Sequence, residues 1–142
     1  MSGLRRMWRV AISLALPVAV AQAASPVTLQ PTTIADWRAA GMDGTGCYWS
    51  RRPGGPVRFA AAGRKAMTKV RGRVLLLAPR RDARELFPFT YDAWRTGDLT
   101  IRVIDTRVAR AIGSESVTTD ALLVVSRSGT ATRLRGSLIC GS

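Results

Sequence analysis

Apolar and polar positions alternate in short runs along most of the chain, and a period of two predicts strands rather than helices. Cys47-Tyr48-Trp49-Ser50-Arg51 and Val57-Arg58-Phe59-Ala60-Ala61 are the first two runs, separated by the breaker Pro53-Gly54-Gly55-Pro56. Residues 66–71 and 73–78 read as one long strand or two, with Gly72 as a bulge or bend and Pro79 as the stop. Phe87 to Tyr91 is short and extended, and a turn follows around Gly97-Asp98. From Leu99 to Asp105 the alternation points Leu99, Ile101 and Val103 inward. Residues 106–119 show no period and read as a long loop with Gly113 to Ser116 at its tip. Ala121 to Ser126 is a buried strand, and Arg127-Ser128-Gly129 turns it into Thr130 to Cys140, with Thr132, Leu134 and Leu138 on one face. The expected fold is all-β, a small antiparallel barrel or sandwich of about seven short strands with a short N-terminal helix.

That helix is predicted over 31–41. A threonine can cap its start, Asp36 suits its first turn and Gly41 its exit, and Ile34 and Trp37 should share a face that closes over an end of the core. A second helical turn is predicted at 83–87 from the capping-box spacing of Asp82 and Glu85.

Ahead of the strands the pattern changes. Arg5, Arg6 and Arg9 precede an apolar run from Val10 to Val20, and Ala21-Gln22-Ala23 supplies a small-x-small site. This order is that of a cleaved export signal. The run is about eleven residues and is interrupted by Ser13 and Pro17, short of the roughly 18 needed to span a bilayer. Residues 1–23 are therefore read as a signal peptide, 24–46 as a lead-in with a short helix, and 47–142 as one disulfide-closed β domain. No transmembrane segment is expected after cleavage, and the protein is expected in the periplasm or outside the cell.

An exported chain changes the meaning of its only two cysteines, Cys47 and Cys140, because an even pair in an oxidising compartment reads as a disulfide. It would tie the first core strand to the last. No C-x-x-C pair is present, and histidine is absent altogether. Without histidine there is no Ser-His-Asp or Cys-His relay and no conventional zinc site. Gly113-Ser114-Glu115-Ser116 lacks the Gly-x-Ser-x-Gly pattern of a nucleophile elbow, and Asp92 and Asp98 sit beside turn signals where aspartate is common. No enzyme, metal or cofactor is expected.

Charge carries the remaining signal. Removing three signal arginines from 22 basic residues leaves 19 against nine acids, a net charge of +10. Between Asp43 and Asp82 there is no acid but ten basic residues, so the excess lies in one third of the domain. On an unbroken strand Lys69, Arg71 and Arg73 would point one way, as would Arg133 and Arg135 on the last strand. With Arg58 these six form the candidate polyanion-binding face. Arginine forks suit phosphate and carboxylate. The expected partners are a lipopolysaccharide, an acidic polysaccharide or nucleic acid, or else an acidic protein. The alternative is a protein–protein interaction module or inhibitor that uses residues 106–119. The tryptophans are read as core, with Trp37 and Trp94 as plugs.

The size, export signal, short-stranded body and terminal disulfide resemble the small barrel inhibitors of c-type lysozyme found in bacterial envelopes. That resemblance implies the same architecture and no motif. The Ser-Gly-x-x-Tyr segment those inhibitors insert into the enzyme has no counterpart here, and a net charge of +10 would repel a basic enzyme.

Overall fold

Ten strands and one short helix form in a computed structural model of the protein, which describes residues 14–21, 25–42 and 44–142. The arginines of the proposed signal and most of its cleavage site lie outside the described residues. Residues 14–21 have no regular structure, and Leu14, Leu16, Val18 and Val20 are exposed.

The strands are β1 (Gly46–Ser50), β2 (Val57–Ala62), β3 (Lys65–Val70), β4 (Arg73–Pro79), β5 (Glu85–Phe87), β6 (Thr90–Tyr91), β7 (Ala93–Thr96), β8 (Leu99–Ile112), β9 (Ser116–Arg127) and β10 (Thr130–Gly141). Eight of them close an antiparallel barrel in the order β1-β10-β9-β8-β7-β4-β3-β2, and β5 and β6 form a separate hairpin. The expected all-β barrel with a short helix is what forms, with three more strands than the alternation revealed.

The period of two does the packing. Trp49, Phe59, Leu77, Trp94, Ile101, Leu123 and Leu138 point inward and are almost fully buried, as are Leu99 and Val103. An eight-stranded barrel is just wide enough for side chains to fill it. Gly136 faces inward beneath Trp49, where a Cβ would lie 2.5–2.6 Å from the indole ring and closer still to the Ser50 carbonyl oxygen. The indole nitrogen of Trp49 donates to Ala121 O at 3.3 Å.

Closure occurs where the first strand meets the last. Cys47 lies directly opposite Cys140 in the β1–β10 register, with Cα atoms 4.1 Å apart, and the two form a disulfide inside the core cluster. The bridge therefore fastens the seam of the ring.

The helix α1 (Ile34–Ala39) has the expected cap. Thr33 Oγ1 accepts from Asp36 N at 3.1 Å, and Asp36 returns the bond to Thr33 N at 2.8 Å. Its position differs from expectation. Ile34 is exposed, and Trp37 covers the outside of β1–β3 with Met42, Ala60, Met67 and Tyr48 instead of an end of the core. The outer faces of Ala60 and Met67 are apolar, so the wall itself needs a cover. Leu29 of the lead-in is buried in the main core, with Val27 packed beside it.

Two other expectations are corrected. Residues 106–119 are not a loop, since β8 and β9 run through them as a long hairpin broken by irregular register between Asp105 and Ala111. From Thr106 to Ile112 β8 is exposed on both faces, which removed the alternation. Residues 83–84 are irregular and 85–87 form β5 rather than a helical turn, and Asp82 pairs with Arg80 and Arg102 instead of capping.

Candidate anion-binding groove

Gly72 is neither bulge nor bend within a strand. Arg71 and Gly72, at φ +50° and +74°, make a two-residue hairpin between β3 and β4, the left-handed geometry that such hairpins favour. Lys69 therefore pairs with Val74 on the outside, Arg71 sits in the turn, and Arg73 pairs with Val70 on the inward-pointing side at the barrel end. These three side chains do not share a face.

Two members of the expected face have structural work. Arg58 donates through Nη1 to Leu29 O, and Lys69 bonds Asp36 at 3.4 Å while its carbonyl accepts from Gln30 N at 2.8 Å. Both hold the lead-in and helix against the barrel. Bonded to Thr33 N and Thr33 Oγ1 and then to Lys69, the Asp36 carboxyl sits below its ordinary value of 3.8.

Arg133 and Arg135 behave as the alternation predicts. Both are exposed on the outer wall of β8–β10, in register with Val124 and Leu122 of β9, and beyond them with Arg102 and Ile104 of β8. Arg102, roughly 10 Å away across two strand spacings, is neutralised by Asp82 at 2.7 Å and Asp92 at 3.3 Å. Arg133 and Arg135 have no carboxylate partner among the described residues.

Two further guanidiniums join them: Arg51, which the alternation placed at the end of the first strand but which lies beyond β1, and Arg52 next to it. The β1–β2 loop folds beside Arg135 and Gly136, and with Thr106 and Val108 of β8 it walls a groove of about 460 Å³ over Leu122. Arg51, Arg52 and Arg135 line it, all exposed. The loop is braced by Arg52 O, which accepts from Ser50 Oγ at 2.7 Å and from Gly55 N at 3.0 Å, so both arginines leave a fixed backbone. A second hollow of about 410 Å³ continues past Pro53 over Val57 and Ile139.

Asp120 is the one carboxylate lining the groove among the described residues, and it is already bonded to Arg110, whose Nε donates at 2.9 Å. That bond holds the Asp120 carboxyl below 3.8 and raises Arg110. The groove is left with three uncompensated positive charges over an apolar floor. The signal that could have found Arg51 and Arg52 is their place at the mouth of a Pro-Gly-Gly-Pro turn, since loops on a rigid scaffold carry contact residues.

No three acidic or cysteine side chains gather as a metal site among the described residues. The disulfide is the only fate of both cysteines. The structure thus defines a disulfide-sealed, eight-stranded antiparallel barrel with an arginine-lined groove across its outer wall. Compared with protein-family models, with curated proteins and with solved structures, the chain matches none.

Proposed function

We propose that this protein is an exported, non-catalytic barrel module that binds polyanions through the outer wall of β8–β10. The observation that carries this reading is the convergence of Arg51, Arg52 and Arg135 on one groove, with Arg133 two residues along the same strand face and no free carboxylate between them. Arginine forks suit the oxygens of phosphate, sulfate and carboxylate. Phosphorylated lipopolysaccharide, an acidic polysaccharide and nucleic acid share that chemistry, and an acidic protein presents it as carboxylates. Export is supported by the N-terminal pattern and the Cys47–Cys140 bridge. No helix among the described residues is long and apolar enough to cross a membrane.

The test is binding to heparin and to a DNA duplex over a salt series, with Arg51→Ala/Arg52→Ala/Arg133→Ala/Arg135→Ala beside the parent. Each phosphate contact contributes about 0.9 to the log–log slope on a duplex, so the variant should lose roughly 3 to 4. Equal slopes for the two proteins would end the proposal. Alanine at Arg58 or Lys69 should instead lower stability, because those side chains hold the lead-in.

The second reading, a protein–protein module, rests on β8. Residues 104–112 pair with β9 on one side and with no strand on the other among the described residues, and Ile104, Val108 and Ile112 are exposed. An open edge can accept a strand from a partner, although the irregular register there blunts it.

A further inference from the structure

At the opposite end of the barrel from the β3–β4 turn, the β5–β6 hairpin presents one large apolar side chain to solvent. Phe89 is 82% exposed, beside an exposed Pro88, while the rest of the hairpin is tied down. Leu86, Phe87 and Tyr91 pack on the main core and Thr90 is buried. Asp92 fastens the base of the hairpin, accepting from Arg84 N at 2.8 Å and donating from its own N to Arg84 O at 2.9 Å. The tip is thus a rigid mount carrying a single phenylalanine.

Its backbone is strained. Phe89 has φ +77°, a region that glycine or asparagine occupies readily and a bulky aromatic rarely does. Backbone strain of this kind persists where the surroundings enforce it, and it concentrates at functional positions. A folding requirement would have been met better by glycine, which would also have removed an exposed apolar surface.

Basic side chains stand at the same end of the barrel. The Phe89 carbonyl oxygen stands about 4.0 Å from where a Cβ on Gly63 would lie, so the β2–β3 turn that carries Arg64 adjoins the hairpin. Arg64 stacks 5.5 Å over the Tyr91 ring and donates to its hydroxyl at 3.2 Å, so its charge is held at the tip rather than spent on a carboxylate. Lys65, exposed at the same end of the barrel, has no ion-pair partner among the described residues and its ammonium lies beside Gly41, whereas Arg84 borders a hollow that it shares with Glu85, Asp92 and Asp105.

We infer that this end of the barrel docks on an anionic lipid bilayer, with Phe89 entering the interface and Arg64 and Lys65 meeting the headgroups. An aromatic ring beside basic side chains is the combination that seats a protein at a negatively charged membrane surface. The face is independent of the groove, so neither site's failure decides the other.

The experiment is co-sedimentation with vesicles of phosphatidylglycerol and phosphatidylcholine, against pure phosphatidylcholine, for the parent, Phe89→Gly and Arg64→Ala/Lys65→Ala. Phe89→Gly should fold with a higher Tm, because glycine relieves the left-handed position. It should nonetheless bind the anionic vesicles roughly five- to tenfold more weakly, an order set by losing one aromatic contact, with heparin binding unchanged. Arg64→Ala/Lys65→Ala should weaken vesicle binding roughly tenfold or more at low salt. Anionic-vesicle binding by Phe89→Gly equal to the parent's would overturn the inference, as would equal binding of the parent to both vesicle types.

Discussion

Replacing Gly136 by alanine adds one methyl group to the inward face of β10, and the barrel has nowhere to put it. The new Cβ would stand 2.5 Å from Trp49 Cζ2 and 2.6 Å from Cε2, and nearer still to the Ser50 carbonyl. Ordinary van der Waals contact begins about 1 Å farther out. Neither neighbour can yield cheaply. Trp49 is fully buried and bonded to Ala121 O, and Ser50 belongs to a strand that the disulfide ties to β10. Overpacking a well-filled core costs about 1 to 3 kcal/mol and sometimes more; with a backbone oxygen as one of the partners, about 3 kcal/mol or more is expected. Urea unfolding followed by tryptophan emission measures it, with Gly72→Ala as the control. Gly72 has φ +74° but open space around it, so its alanine should cost only about 1 kcal/mol, through backbone strain alone. Trp49→Phe removes the ring atoms nearest Gly136 and should recover part of the loss, visible as coupling above about 0.5 kcal/mol in a double-mutant cycle. A Gly136→Ala cost below that of Gly72→Ala would refute the argument. The same substitution tests the site, because Ser50 leads into the arginine loop: the folded variant should also bind heparin more weakly.

Opening the disulfide by Cys47→Ser/Cys140→Ser frees a closure across a sequence separation of 93. The loop-entropy relation puts the loss at up to about 4 to 5 kcal/mol, read by urea unfolding, and a loss under about 1 kcal/mol would mean that the seam holds without the bridge. Thr33→Ala removes the capping-box hydroxyl and should cost about 1 kcal/mol by the same measurement. The Asp36 and Asp120 carboxyls both lie below 3.8 in the folded protein. Their contribution is therefore complete above the unfolded carboxylate value and is lost as pH falls through 3.8 and below, so Tm should stay flat from pH 5 to 8 and drop on acidification. With no histidine to titrate between those limits, a Tm step between pH 5.5 and 7.5 would contradict the assignment.

Local chemistry made the strands legible, and long-range register hid the site. Trp49, Phe59, Ile101, Leu123 and Leu138 each announce an inward face by alternation with polar neighbours, which is why the all-β architecture and the inward sets of β8 and β10 were readable. The Cys47–Cys140 pair was readable because two cysteines allow one pairing and the N-terminal pattern led to the expectation of an oxidising compartment. Beyond Asp105, β8 loses its inner contacts and is exposed almost throughout, so the residues carry no period although β9 still pairs with them. The row of Lys69, Arg71 and Arg73 failed for a sharper reason. Reading Lys69, Arg71 and Arg73 as one row needed a continuous strand, and two left-handed residues in succession make a reversal instead. One of those two is an arginine, which gave no warning of positive φ.

The groove depended on pairings that no local window contains. Arg135 is brought to Arg51 and Arg52 because β10, the last strand, closes against β1, the first, with Ser137 opposite Ser50. Gly136 then permits Trp49 to lie against β10, which holds the end of β1 and the loop beyond it close to Arg135. Barrel closure, the disulfide and the buried indole therefore act on one seam, and the unpaired arginines stand along its outer side. Five carboxylates are committed: Asp36 to Lys69, Asp82 and Asp92 to Arg102, Asp98 to Arg127 and, within the groove, Asp120 to Arg110. With so many acids already paired, the positive charge left over on this wall is set by which arginines the seam gathers, not by composition alone.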